Sequence, residues 1–286
     1  MFNISLDSVY NPPANKTTLF VIDCRVAVFK LLNLAHINAD RLPHLVQWYF
    51  SQLPTELAER DAWVNQPEII VVDDSRTKIS ANSYNYWREA WIRENAKHLP
   101  VYKGNRGVSS EDDRPDMYTE LLEAIYYYCD KTNTNILKSE GFEADDFYGA
   151  IYRHAFNSPA FVERYETIIC SVDNDLAQLV DDSLDIKMYV TGSFSCPVSR
   201  LRSEYEVLRY YSEKHDADLN CTYEIVDHKM EVGDAGDGIV PDSPREIIDL
   251  RNPPIKPDTR YVAKNLIGRT INFDAAIASL SHLRFV

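Results

Sequence analysis

The chain has 286 residues, 45% hydrophobic and 26% charged, with a formal net charge of −14. That is ordinary globular composition, with room for one large domain or one domain plus an appendage, and no apolar run approaches the length that a membrane span needs. The acidic excess argues against simple phosphate binding through Lys and Arg, unless part of it belongs to a site where bound cations change the local charge.

The N-terminal stretch lacks the basic start and apolar run of a secretory signal. Residues 18–22, reading Thr-Leu-Phe-Val-Ile, predict a buried strand that ends on Asp23. Residues 41–57 have helical spacing through Leu42, Leu45, Val46, Trp48, Tyr49, Leu53 and Leu57. Residues 68–72 predict a second buried strand, which ends on Asp73 and Asp74. From 75 to 116 the chain is polar, basic in its middle and without a strand-like run.

Helical spacing returns over 115–129, led by Pro115, a residue suited to a helix's first turn, and again over 144–154. Residues 166–170 predict a third strand, with Asp173 and Asp175 just beyond it, and 185–190 a fourth. Residues 241–259 are proline-rich and predict loops or short turns. Apolar runs alternating with amphipathic stretches argue for an α/β fold with a mostly parallel central sheet flanked by helices. Five scattered cysteines (Cys24, Cys129, Cys170, Cys196 and Cys221) show no metal spacing and point to a reducing compartment, hence the cytoplasm.

In open parallel sheets, ligands bind beyond the carboxyl ends of the strands. One Asp there is most often a turn former or helix cap. Three strands ending in Asp make a stronger coincidence. Glu143, Asp145 and Asp146, at the opening of the 144–154 helix, extend the set, and so do Asp234 and Asp237 in a glycine-flanked turn. Converging carboxylates repel and raise one another's pKa. Oxygen-only ligands select Mg²⁺ or Mn²⁺, and two such ions about 4 Å apart form the usual clamp for displacement at phosphorus. Tyr102, Lys103 and Arg106 sit in a short basic segment: the cations suit a scissile phosphate, and the ring suits stacking on an unpaired base.

These segments resemble the flap endonuclease/5′–3′ exonuclease family, closest to the phage ribonuclease H-type 5′ nucleases. The likeness runs from about residue 18 to 240. It is carried by Val21-Ile22-Asp23, Val71-Val72-Asp73, Tyr102-Lys103-Gly104-Asn105-Arg106, Gly141-Phe142-Glu143-Ala144-Asp145-Asp146, Ser171-Val172-Asp173-Asn174-Asp175-Leu176 and Gly233-Asp234-Ala235-Gly236-Asp237. The resemblance implies a PIN-like 5′-nuclease fold with a catalytic core over 1–190, a helical arch over about 76–114 and a C-terminal helical region over 191–286.

It implies two-metal hydrolysis leaving a 5′-phosphate and a 3′-hydroxyl. Asp23, Asp73, Glu143, Asp145 and Asp146 would serve one ion, with Asp74 an alternative to Asp73. Asp173, Asp175, Asp234 and Asp237 would serve the other. Lys103 and Arg106 would be the catalytic cations at the base of the arch, and Tyr102 and Arg88 further substrate contacts. The implied partner is DNA with a 5′ single-stranded flap or end, or an RNA–DNA hybrid, met by a monomer alongside a replication protein, with RNA-primer removal within its scope.

Two departures stand out. Gly238 replaces the family's usual Asn, and no helix–hairpin–helix glycine motif follows Asp237, where the resemblance would place duplex grip and a K⁺ site, so the duplex-binding element reads as reduced. Residues 261–274 again resemble the family's C-terminal helix and turn. A PIN-type single-strand ribonuclease and a non-catalytic structure-specific DNA-binding protein are the competing readings. An aspartyl phosphatase would need a second acid after Asp23, where Cys24 and Arg25 stand.

Overall fold

The computed structural model describes residues 16–34, 42–58, 67–74, 78–80, 83–84, 86–99, 116–190, 200–234, 239–257, 263–264, 270–271 and 281–282. Among the described residues the strands, in chain order, are β1 (Thr17–Asp23), β2 (Glu68–Val72), β3 (Lys78–Ser80), β4 (Ser83–Tyr84), β5 (Asn135–Leu137), β6 (Tyr165–Ser171), β7 (Ile186–Val190), β8 (Arg200–Arg202), β9 (Ala263–Lys264), β10 (Thr270–Ile271) and β11 (Ser281–His282). The helices are α1 (Cys24–Leu34), α2 (Leu42–Ala58), α3 (Trp87–Asn95), α4 (Asp116–Thr132), α5 (Ala144–Asn157), α6 (Pro159–Arg164), α7 (Glu204–His215) and α8 (Ile225–Val232).

The main sheet runs β10-β9-β5-β2-β1-β6-β7-β8, with β11 added beside β2; β3 and β4 pair separately. The central strands β5, β2, β1, β6 and β7 are parallel, and β8, β9, β10 and β11 join antiparallel. The four strands read from sequence are all present. β5 is too short to announce itself by periodicity. Polar residues 75–116 contain α3, whose Trp87, Arg88 and Ile92 are buried, where the sequence shows only an irregular stretch. The C-terminal residues read as helical over 261–274 contribute β9 and β10 to the sheet instead. The sheet therefore draws strands from both sides of residue 190.

Alternation along the central strands fills two cores, as expected for a sheet covered on both faces. Leu19, Val21, Ile70, Val72 and Ile169 pack with α5 residues Phe147, Tyr148 and Ile151. Phe20, Ile22, Ile69, Val71 and Ile168 face the other way and pack with α1, α2 and α4 through Val28, Leu31, Phe50, Leu121 and Ile125. Cys24, Cys129, Cys170 and Cys221 are free thiols. Among the described residues no helix is long and apolar enough to cross a membrane.

The connectivity creates a switch point. From β1 the chain moves outward through β2 to β5, then returns to lay β6 on the other side of β1. Connections leave β1 and β6 in opposite directions, so a crevice opens at their carboxyl ends, where open parallel sheets bind ligands. The Tyr148 hydroxyl is fixed there, donating to the carbonyls of Val21 (3.3 Å) and Cys170 (3.2 Å).

Candidate active site

Asp23 ends β1, and its Oδ1 accepts the backbone N–H of Arg25 (2.8 Å) and of Val26 (3.3 Å), so it also starts α1. Burial, then the neighbouring charge of Asp74, push its carboxyl up to about 7. Asp73 and Asp74 leave β2 with different surroundings. Asp73 is buried; it accepts from Lys138 Nζ (2.7 Å) and from the Tyr126 hydroxyl, with Arg25 Nε 3.7 Å away. Its Oδ1 is buried with no hydrogen-bond partner. Asp74 is half-buried, pairs with Arg25 Nη1 at 3.0 Å and accepts the first backbone N–H of α5, from Ala144, at 2.7 Å.

Gly141, at φ +80°, turns the chain into α5, a conformation that suits glycine. Glu143 and Asp146 then form a reciprocal capping box across the first turn. Both are buried, and Arg88 from α3 lies between them: Nη1 is 3.1 Å from Glu143 Oε2, and Nη2 is 2.8 Å from Asp146 Oδ1. Trp87 Nε1 donates to both Asp146 oxygens at 3.1 Å. Burial raises the Asp146 pKa, and Arg88 opposes that shift. Asp145 projects from the same turn and is half-buried.

One expectation changes here. Arg88 is 2% exposed and its Nε donates to the Ile247 carbonyl at 3.1 Å, so it is buried inside the protein rather than presented to a substrate. Asp146 has its oxygens engaged by Trp87, Arg88 and the Glu143 N–H and so holds the turn.

Beyond β6, Asp173 caps a 3₁₀ turn (Asn174–Leu179) and accepts the Asp175 N–H at 2.9 Å. The Asp175 carboxylate accepts from Lys229 on α8, whose ammonium also reaches Asp234 Oδ2 at 2.8 Å. Asp234 closes a small bridge with Ile239 through two backbone hydrogen bonds, after Gly233 at φ +77°. Asp237, Tyr102, Lys103 and Arg106 lie outside the described residues, as do Cys196 and much of the 76–114 segment.

The structure therefore brings Asp23, Asp73 and Asp74 together beside the start of α5, and links Asp175 with Asp234. The sequence reading passed over the cations that hold them: Arg25, Lys138 and Lys229. A signal for two of these was present, since Arg25 follows Asp23 by two residues and Lys138 directly follows β5, the strand beside β2. Lys229, five residues before Asp234 on an unremarked helix, had none.

Among the described residues, no three Asp, Glu, His or Cys side chains converge closely enough to hold a metal ion by themselves. The donor chemistry nevertheless fits a hard, hydrated cation, since Mg²⁺ keeps several waters and uses few carboxylates. Asp73 Oδ1 is buried without a hydrogen bond, with Arg25 Nε 3.7 Å away, and so marks a place where further positive charge would fit.

A mostly parallel sheet flanked by helices, with carboxylates at its switch point, defines a resolvase-like, PIN-type domain. Residues 71–210 match the family model described as the 5′-3′ exonuclease, N-terminal resolvase-like domain. Over that segment, just under half of its length, the chain is similar to the 5′–3′ exonuclease family. Similar solved structures include the bacteriophage T5 5′-exonuclease with divalent zinc ions bound, 21% identical over 79% of this chain and 72% of that one, with a TM-score of 0.49. The bacteriophage T5 flap endonuclease, in a pseudo-enzyme–product complex with DNA and metal ions, is 18% identical over 78% and 69%, with a TM-score of 0.47. No curated protein matches the chain.

Proposed function

We propose that the chain is a structure-specific 5′ nuclease that hydrolyses phosphodiester bonds at 5′ flaps, 5′ ends or RNA primers, leaving a 5′-phosphate and a 3′-hydroxyl. The supporting observation is the gathering of Asp23, Asp73 and Asp74 beside the first turn of α5, at the switch point between β1 and β6. Two divalent ions, Mg²⁺ or Mn²⁺, would supply activation of water and charge stabilisation at the leaving oxygen. Asp23, Asp73, Glu143 and Asp145 hold one; Asp173, Asp175, Asp234 and Asp237 hold the other. Asp74 and Asp146 position the start of α5 rather than ligate.

Lys103 and Arg106 grip the scissile phosphate, and Tyr102 stacks on an unpaired base at the foot of an arch over about 76–114. A catalytic core over 1–190 and a region over 191–286 that supplies the last acids complete the division of labour. The protein acts as a monomer on DNA or an RNA–DNA hybrid, beside a replication partner.

The test uses 3′-labelled flap, nicked and RNA-primed duplexes with Mg²⁺ and with EDTA. Cleavage measured from the 5′ end, removed by EDTA and by Asp173→Asn at unchanged thermal stability, is expected. Internal cutting of linear single-stranded RNA without 5′-end dependence would overturn it in favour of a PIN-type ribonuclease.

A further inference from the structure

Lys229 lies on α8 with 7% of its surface exposed, and its ammonium bridges Asp175 and Asp234, carboxylates 59 residues apart. Resting on the function proposed above, we infer that Lys229 is a built-in counter-ion for the second metal seat, and that a divalent ion enters between Asp175 and Asp234 only by displacing the lysine.

Three observations carry this. First, the ammonium sits between the two carboxylates rather than beside them. Magnesium–oxygen distances are about 2.1 Å, so an ion bound to both oxygens would fill the space the ammonium now takes. Second, the lysine is held inside the seat: its side chain is 9% exposed and pairs with Asp175 and Asp234 at once. Third, lysine is suited to release. It is a point charge on a flexible four-carbon stem. Arg88, by contrast, is fixed by Glu143, Asp146 and the Ile247 carbonyl together.

The consequence is ordered loading. Acids beside β1 and β2 accept the first ion, and the second seat stays neutralised until a further ion, or a substrate that brings one, outcompetes Lys229. In the free protein the lysine takes over part of the ion's structural role, because Asp175 and Asp234 would otherwise repel.

Two measurements on the full chain test this without reading activity. In the first, the wild-type protein is treated with an amine-acetylating reagent at increasing Mn²⁺, and modification of Lys229 is followed by peptide mass spectrometry. Labelling should be slow without metal and should accelerate as Mn²⁺ binds; an unchanged or slower rate overturns the inference.

In the second, Mn²⁺ binding is titrated by calorimetry for wild type and Lys229→Met, which keeps an apolar stem and removes the charge. The weaker of the two sites should tighten about tenfold or more, the ordinary size of a coupling between competing ligands. Unchanged or weaker binding overturns the inference. Should Lys229→Met fail to fold, the labelling experiment decides alone. Wild-type protein that binds two ions and cuts DNA with Lys229 still protected sinks only the counter-ion role. Protein that binds no Mn²⁺ and cuts nothing sinks the nuclease reading, and this inference with it.

Discussion

Arg88 shows how a residue's burial can reverse its apparent purpose. The family resemblance implies for it, as for Tyr102, Lys103 and Arg106, a contact with substrate. In the fold its guanidinium is 2% exposed and joins α3, the α5 capping box and the carbonyl of Ile247. A planar fork with several donors suits this work, whereas lysine has one compact charge. Replacing Arg88 with Met should cost about 3–5 kcal/mol, because Glu143 and Asp146 would stay buried without a counter-ion. Urea unfolding of Arg88→Met against wild type measures this, and a loss below about 1 kcal/mol would show that the pair rearranges at little cost. Asp23, Asp73 and Asp74 stand out at strand ends, and Glu143 and Asp146 at a helix start. Arg25 and Lys138 had a local signal, but Arg88 and Lys229 did not, since their pairing depends on which distant segment the fold brings alongside.

At the scale of elements, β1, β2, β6 and β7 were readable because residues buried on both faces leave continuous apolar runs, whereas the three-residue β5 was not. Helix α3 was hidden because only Trp87, Arg88 and Ile92 among its nine residues are buried, too few to set a clear apolar stripe. Helix α5 carries a further constraint that sequence alone does not announce. A Cβ on Gly149 would lie 2.3 Å from the Leu250 carbonyl oxygen, so α5 and the 249–251 segment approach as bare backbones. Arg153, one turn further along, donates to the same carbonyl at 2.8 Å. Gly149→Ala should therefore destabilise by about 1–3 kcal/mol, although alanine is the better helix former. A thermal melt checks the sign: a raised melting temperature would mean that the 249–251 segment simply moves away.

Across the whole molecule the net charge is −14, and at the candidate site Asp73, Asp74, Asp175 and Asp234 are partly neutralised by Arg25, Lys138 and Lys229. Ions that bind the folded state and not the unfolded chain raise its stability by mass action. At a concentration a hundred times the dissociation constant the gain is about 2.7 kcal/mol. The melting temperature should accordingly rise with added Mg²⁺ and fall back with EDTA, and Asp23→Asn should blunt the response. A melting curve indifferent to Mg²⁺ at millimolar concentration would count against the crevice as a cation site. The layered α/β plan was legible from alternating patterns, whereas the antiparallel additions at the C-terminal end were not, because β9, β10 and β11 are two residues each.

The proline-rich stretch that reads as loop has a structural role out of proportion to its irregularity. Ile247 accepts from Arg88; Ile248 accepts from Gln178, whose own amide also donates to the Asp175 carbonyl; Leu250 donates back to Gln178 at 2.9 Å. Arg251 donates to the Gln178 and Val180 carbonyls and to the Thr222 hydroxyl. Four of the five residues from 247 to 251 thus act as a buckle, fastening the turn that carries Glu143 to the turn that carries Asp175. The minimal unit able to hold these acids in register therefore reaches at least to Arg251, well past the 71–210 segment that matches the family model.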